Sequence, residues 1–297
     1  MTELNISGYI VHDELRSDNA GNSLWGVCFR DGTKYFIKQL KETYYDIPLA
    51  EATPFQREDM EASARFYERM LRLFDRLKEA DNGNLVVPLD FIRQNGHYYI
   101  ISEWVDQFSD FSEIQSFTPL QKHVMLRVLA YSLCGLAEQQ IVHSDLKPDN
   151  IRIKDTISRA RTLKIIDFDS SFIQGDYPDL IGGTQNYMAP EAIIRMYQDE
   201  DGAAEKIEVT PKADIFSLGI IFHEILTGEL PQSSDPAFPY PGIAVGRGID
   251  LRLHPRLEPE YEALIRRMLL VEPQQRPEAK AVFETLRQID PLTMQGR

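Results

Sequence analysis

Three short runs hold most of the residues in this chain that could do chemistry. The first is His143-Ser144-Asp145-Leu146-Lys147-Pro148-Asp149-Asn150, which gathers a carboxylate, an ammonium and an amide within a few positions. The second, Asp167-Phe168-Asp169, begins seventeen residues after Asn150, and the third, Ala189-Pro190-Glu191, lies further on. Lys38 stands apart from them, at the end of Tyr35-Phe36-Ile37-Lys38. A carboxylate can take a proton, carboxylate and amide oxygens are hard donors that suit Mg²⁺, and a lysine balances negative charge. Phosphoryl transfer asks for such positioned groups and positive charge more than for covalent chemistry. One run alone would be a weak signal; three in order are a strong one.

The elements that must position these residues change character along the chain. Short strand-like stretches occupy 8–15, 24–29 and 34–40, with Asp31-Gly32 as a hairpin turn between the last two. Pro54 opens a helical pattern ending near Lys78, and Asp81-Asn82-Gly83-Asn84 breaks it. Two more strands are expected at 85–92 and 97–104, joined by Gln94-Asn95-Gly96. From Pro119 onward helices dominate: 119–139, a buried one at 211–226, and amphipathic ones at 258–270 and 278–289.

The bulk properties narrow the class. With 297 residues, 43% apolar and 26% charged, the chain can bury a substantial core as one large domain or two intimate lobes. Two cysteines, Cys28 and Cys134, are too few for a disulfide framework. The N-terminus lacks a signal-peptide pattern, and no apolar stretch is long enough to span a bilayer, so a cytoplasmic location is expected. A net charge of -14 argues against nucleic acid and anionic membranes as partners.

The runs resemble the motifs of the eukaryotic-like (Hanks-type) serine/threonine protein kinase catalytic domain: the catalytic loop, the D-F-G segment and the A-P-E segment. The resemblance covers essentially the whole chain. It implies an α+β, bilobal fold, with a small five-stranded antiparallel N-lobe and one helix in residues 1–105 and a larger, mainly helical C-lobe in 106–297. The activity it implies is transfer of the γ-phosphoryl group of ATP to Ser or Thr hydroxyls of proteins, with Mg²⁺ or alternatively Mn²⁺. Asp145 would be the catalytic base, Lys147 would balance charge on the phosphate, and Asn150 and Asp167 would hold the metal. Lys38 would hold the nucleotide's phosphates. Thr184, in Gly183-Thr184-Gln185-Asn186-Tyr187-Met188, would contact Asp145 and Lys147 as in the serine/threonine branch. Asp214 would brace the catalytic loop, and Glu191 and Arg276 would form a buried ion pair. Around the adenine, the resemblance implies backbone bonds from Glu103 and Val105, with Ser102 behind them, and roles for Gly21, Gly26, Cys28, Phe36 and Arg152. Protein substrates follow, and a regulatory protein partner of unknown identity is compatible with a bare kinase domain.

Several positions depart from the family's pattern. Ser144 replaces the arginine that commonly binds an activation-loop phosphate, which suggests a segment competent without phosphorylation. The glycine-rich loop, Gly21-Asn22-Ser23-Leu24-Trp25-Gly26, has Ser23 at its middle glycine. Phe36 stands where a small alanine is usual, Cys28 where a valine is, Arg152 where an apolar floor is, and Asp169 where a glycine is. The helix glutamate for Lys38 is open among Glu68, Glu61 or neither. These departures keep a second reading alive: a pseudokinase that binds nucleotide or serves as a scaffold without turnover. A small-molecule phosphotransferase of the aminoglycoside type ranks last, because such enzymes typically lack Lys147 and the Thr184 to Glu191 segment.

Overall fold

A computed structural model describes residues 4–17, 23–105, 108–109, 111–155, 161–203 and 205–291. The chain divides into two compact units: Met1–Asp75 with Val86–Asp106, and Arg76–Leu85 with Gln107–Arg297.

The first unit is a six-stranded antiparallel sheet with one long helix. In chain order the strands are β1 (Leu4–Ile6), β2 (Tyr9–Val11), β3 (Leu24–Arg30), β4 (Thr33–Thr43), β5 (Asp90–Gln94) and β6 (His97–Glu103), arranged β1-β2-β3-β4-β6-β5. The count is six rather than the expected five because Ser7 and Gly8 both turn at positive φ and fold the first stretch back on itself. The turns read from Asp31-Gly32 and Asn95-Gly96 are present, all four residues at positive φ as two-residue hairpin loops require.

Register decides which side chains share a face. Across β3 and β4, Trp25 pairs with Lys38, Val27 with Phe36 and Cys28 with Tyr35. Paired residues of adjacent strands point the same way, and successive residues alternate. Lys38, Phe36, Val27 and Trp25 therefore share one face, and the Phe36 ring stacks on Trp25 at 5.9 Å. Cys28 lies on the other face, fully buried in a core with Ile6, Tyr9, Val11, Ile37, Tyr99 and Ile101. Burial pushes its thiol up to about 11, leaving an inert apolar plug.

The helix α1 (Pro54–Ala80) begins at a capping box: Gln56 N–H donates to Thr53 Oγ1 (3.3 Å) and Thr53 N–H to Gln56 Oε1 (2.9 Å). Its Phe66, Tyr67 and Phe74 rings meet Phe91 and Tyr98 on the sheet face that carries Lys38. Glu61 and Glu68 are both exposed, and among the described residues neither makes a hydrogen bond or ion pair.

The second unit is mainly helical. Its strands are short: β7 (Phe108–Ser109), β8 (Ile141–Val142), β9 (Ile151–Asp155), β10 (Arg161–Ile165), β11 (Phe172–Ile173), β12 (Gln232–Ser233) and β13 (Leu251–Arg252). The helices are α2 (Pro119–Glu138), α3 (Pro190–Glu200), α4 (Lys212–Thr227), α5 (Pro241–Gly246), α6 (Pro259–Met268) and α7 (Ala279–Gln288). A second capping box, Thr118 with Gln121, starts α2. The four helical patterns read from 119 onward correspond to α2, α4, α6 and α7, whereas α3 and α5 are additional. α4 is apolar on nearly every side and buried from Lys212 to His223, as the central helix against which α2 and α6 pack.

α4 also holds a histidine whose tautomer is set by its neighbours. The His223 ring is buried, with Nδ1 2.7 Å from the Glu229 carbonyl and Nε2 accepting the His254 N–H at 2.9 Å. The ring is therefore neutral, and a proton on Nε2 would confront an N–H donor. Burial holds its pKa below the ordinary 6.5. A depressed histidine contributes stability that is complete above 6.5 and lost as pH falls below it. Urea unfolding midpoints should drop between pH 7 and pH 5, and the drop should be smaller in His223→Gln; equal slopes in the two proteins would count against this residue as a source.

Candidate active site

The catalytic-loop residues sit between β8 and β9, in a turn whose ends are fixed by backbone pairing. β8 pairs with β11, β9 pairs with β10, and the Ile166 N–H donates to the Asn150 carbonyl at 2.9 Å. This pairing sets Asn150, just before β9, and Asp167, just after β10, at the same end of one hairpin.

At that turn four side chains converge, three of its own and Thr184 from a later segment. Thr184 Oγ1 donates to Asp145 Oδ1 at 2.7 Å, and Lys147 Nζ lies 2.9 Å from Thr184 Oγ1 and 2.8 Å from Asp145 Oδ2. Asn150 Nδ2 donates to the Asp145 carbonyl at 2.8 Å and to its Oδ2 at 3.3 Å. Asp145 and Lys147 remain partly open, with side chains 18% and 22% exposed, enough to meet a partner from solvent. Because the Asn150 amide nitrogen faces Asp145, its oxygen is turned away from that carboxylate. Among the described residues no three His, Cys, Asp or Glu side chains gather into a metal cluster. A cation here would rest on Asp167, Asn150 and oxygens supplied by a phosphate, a hard-donor set that fits Mg²⁺.

The loop is braced from below. The buried Asp214 of α4 accepts the N–H of His143 (2.7 Å) and of Ser144 (3.2 Å). Burial pushes its carboxyl up to about 6, against the pull of those two N–H groups. Ser144 and Asp167 both have positive φ, at 71° and 68°, a conformation that costs a non-glycine residue and is held by such bracing. His143 is buried, with Nε2 3.2 Å from the Ile166 carbonyl and its ring 5.0 Å from Phe168.

The segment from 167 to 191 is anchored throughout. Ser171 Oγ donates to the His143 carbonyl at 3.0 Å and Ser144 Oγ to the Gly182 carbonyl at 2.8 Å. The Ile181 N–H donates to Asp199 Oδ2, and Arg195 and Lys206 also bond that carboxylate. Burial alone would raise the Asp199 pKa, but these three donors bring it below the usual carboxylate value. Tyr187 donates to Glu224 at 2.9 Å; burial raises both groups' pKa values, and the Asp149 charge adds to the shift. At the segment's end Glu191 and Arg276 form a buried two-point pair at 2.6 and 2.8 Å.

Asp145, Lys147, Asn150 and Thr184 thus come together in one cluster, with Asp214 beneath them. Lys38, Phe36, Glu103 and Val105 belong to the first unit, Arg152 and Asp167 to the second. Gly21 lies outside the described residues. For Cys28 the expectation fails: its side chain is on the core face, opposite Lys38, and Val27 takes the position beside Phe36. Gly26 is likewise a core-face strand residue, where a Cβ would press within 2.8 Å of the Leu15 side chain. The Ser144–Gly182 and Asp199 anchors were not foreseen, since neither has a local sequence signature.

A family model described as the protein kinase domain matches residues 55–286. The chain belongs to the protein kinase family. Relatives of this chain include serine/threonine-protein kinase pkn3 of Myxococcus xanthus, 25% identical over 77% of this chain and 40% of that protein. Serine/threonine-protein kinase ULK3 of Xenopus laevis is 29% identical over 70% of this chain and 43% of its own. The chain spans less than half the length of these curated relatives. The matched region begins at α1 and leaves out β1 to β4, where the glycine-rich loop is degenerate.

Proposed function

We propose that this kinase transfers the γ-phosphoryl group of ATP to Ser and Thr hydroxyls of proteins. The observation that carries the reading is the Asp145–Thr184–Lys147 triangle, closed by bonds of 2.7 to 2.9 Å. Asp145 orients the acceptor hydroxyl and takes its proton. Lys147 balances the charge that develops on the phosphoryl oxygens. Asn150 and Asp167 would hold Mg²⁺, which supplies charge neutralisation when bound. Lys38 would engage the nucleotide phosphates, and the backbone of Glu103 and Val105 the adenine. The reading includes a cytoplasmic location; no helix among the described residues is long and apolar enough to cross a membrane, a fact compatible with it.

The kinase is proposed to be competent without phosphorylation of its activation segment. Ser144, in place of an arginine, bonds Gly182 directly, and Ser171 is 4% exposed with its hydroxyl engaged. Alanine at Ser170, Ser171 and Tyr177 in turn should leave measurable transfer, and abolition by all three would refute the idea.

Transfer of labelled phosphate from ATP with Mg²⁺ or Mn²⁺ to a generic basic protein tests the activity. Thr184→Ala should lower kcat/KM by about tenfold or more, because Asp145 Oδ1 loses a bond to a charged acceptor worth about 1.5–3 kcal/mol. Thr184→Ser should retain most of the rate; equal rates in all three proteins would remove Thr184 from the site.

The pseudokinase reading is favoured by two observations: Phe36 stacks with Trp25 on the Lys38 face, and neither Glu61 nor Glu68 has a partner among the described residues. A thermal-shift titration with ATP and Mg²⁺ separates the cases, since a ligand of the folded state alone raises apparent stability. Binding without transfer favours the pseudokinase.

A further inference from the structure

A groove of about 490 Å³ runs along the second unit, between α3 and the chain that leads through α5. Its α3 wall presents Ile193, Ile194 and Tyr197, and Phe238 and Ile243 line it from the other side. Ile194 and Tyr197 are 45% and 48% exposed, high values for large apolar side chains one turn apart.

Arg247 lines the groove at one end, and two acids extend its α3 wall beyond the other. Residues 190, 193, 194 and 197 recur at helical spacing, and the same stripe continues to Glu200 and Asp201. Both acids are exposed, and neither has an ion pair among the described residues, whereas Asp199 is already bound by Arg195 and Lys206. The other end lies at the start of α3, where a Cβ on Gly246 would approach the Pro190 side chain at 3.3 Å. Arg247 follows there, its guanidinium 4.6 Å over Phe238. From Ile194 to Asp201 the helix rises about 10 Å, a span that about three residues of extended chain cover.

The groove adjoins the catalytic cluster through the backbone. α5 packs so closely on the segment after Thr184 that a Cβ on Gly242 would overlap the Met188 carbonyl. α3 itself begins at Pro190, six residues beyond Thr184.

We infer that this groove docks a segment of the protein substrate that carries large apolar anchors and, about three residues along, a Lys/Arg cluster facing Glu200 and Asp201. The inference rests on the kinase reading and names its substrate class. The chain's net charge of -14 favours a cationic segment over an acidic one. A second copy of this chain is a poorer occupant, because a stable dimer interface needs about 1,200 Å² or more and the groove admits one short segment.

The test is direct binding, without nucleotide, of fluorescent peptides to the full chain. One peptide carries a pair of leucines followed after a three-residue spacing by three lysines; its control has glutamates for the lysines. The lysine peptide should bind at least about tenfold more tightly. Ile194→Glu with Tyr197→Ala, and separately Glu200→Lys with Asp201→Lys, should each weaken it to the level of the control while the unfolding midpoint holds. Equal binding of the two peptides, or no loss in the Glu200→Lys/Asp201→Lys protein, overturns the inference. So does concentration-dependent dimerisation that Ile194→Glu abolishes, which would assign the groove to a second copy. Since no turnover is read, failure here leaves the phosphoryl-transfer reading intact, and an inactive enzyme would leave this result standing.

Discussion

Asp145→Asn should abolish phosphoryl transfer to Ser and Thr, by about a hundredfold at the least, while the protein stays folded. Asparagine matches the shape of the carboxylate and keeps one oxygen that can accept from Thr184 at the 2.7 Å position. It cannot take a proton at neutral pH, and its amide would face Lys147 Nζ and Asn150 Nδ2, both donors. The stability cost should be small, about 1 kcal/mol or less, because the Asp145–Lys147 pair is partly open to solvent and screened. The two readouts are initial rates with labelled ATP and the urea midpoint. An unaltered rate would remove Asp145 from the chemistry, and a collapsed midpoint would make it structural.

The largest stability effect is expected from Arg276→Met. Arg276 is 2% exposed and donates to both Glu191 oxygens and to the carbonyls of Leu270, Lys212 and Val271, with its guanidinium 5.0 Å over Phe216. Methionine fills part of the volume and supplies no donor. Glu191 would be left as a buried carboxylate without a partner, and three carbonyls would lose their bonds. Breaking a buried pair from one side costs about 3–5 kcal/mol. Removing both charges in Glu191→Leu/Arg276→Met should recover part of the loss, because an apolar pair strands no charge. Equilibrium urea denaturation of the two variants beside the parent measures this, and a single-variant loss under about 1 kcal/mol would contradict the geometry.

Glu191 also lies in the first turn of α3, directly after the segment that delivers Thr184 to Asp145. The Arg276→Met protein should therefore lose activity even under conditions where it is folded.

How legible these features were depends on the distance over which each is encoded. Asp145, Lys147 and Asn150 lie within six positions, so their order alone brings them together, and α2, α4, α6 and α7 announce themselves by apolar periodicity. The face of Cys28 was misread because a strand alternates every residue, so an offset of one between loop and strand sends a side chain to the other side. The extra strand hung on Ser7 accepting a positive φ, which its residue type does not advertise. Glu61 and Glu68 could not be decided by counting, since a helix turns about 100° per residue and an error of one or two moves a side chain from core to solvent. α5 is only 6 residues long and too brief for periodicity to speak. The Ser144–Gly182 bond joins residues 38 positions apart through a backbone carbonyl, and no side-chain pattern records a carbonyl.

That bond has a consequence for control. Where a phosphate holds an activation segment to an arginine, the tie can be cut by a phosphatase and loosened by salt. A serine hydroxyl on a peptide carbonyl offers neither handle: it is uncharged, does not titrate in the cellular range and stores no record of an upstream event. If the proposed transfer holds, an enzyme tied in this way would be ready as soon as it folds, and its output would follow how much of it is made and which proteins it meets.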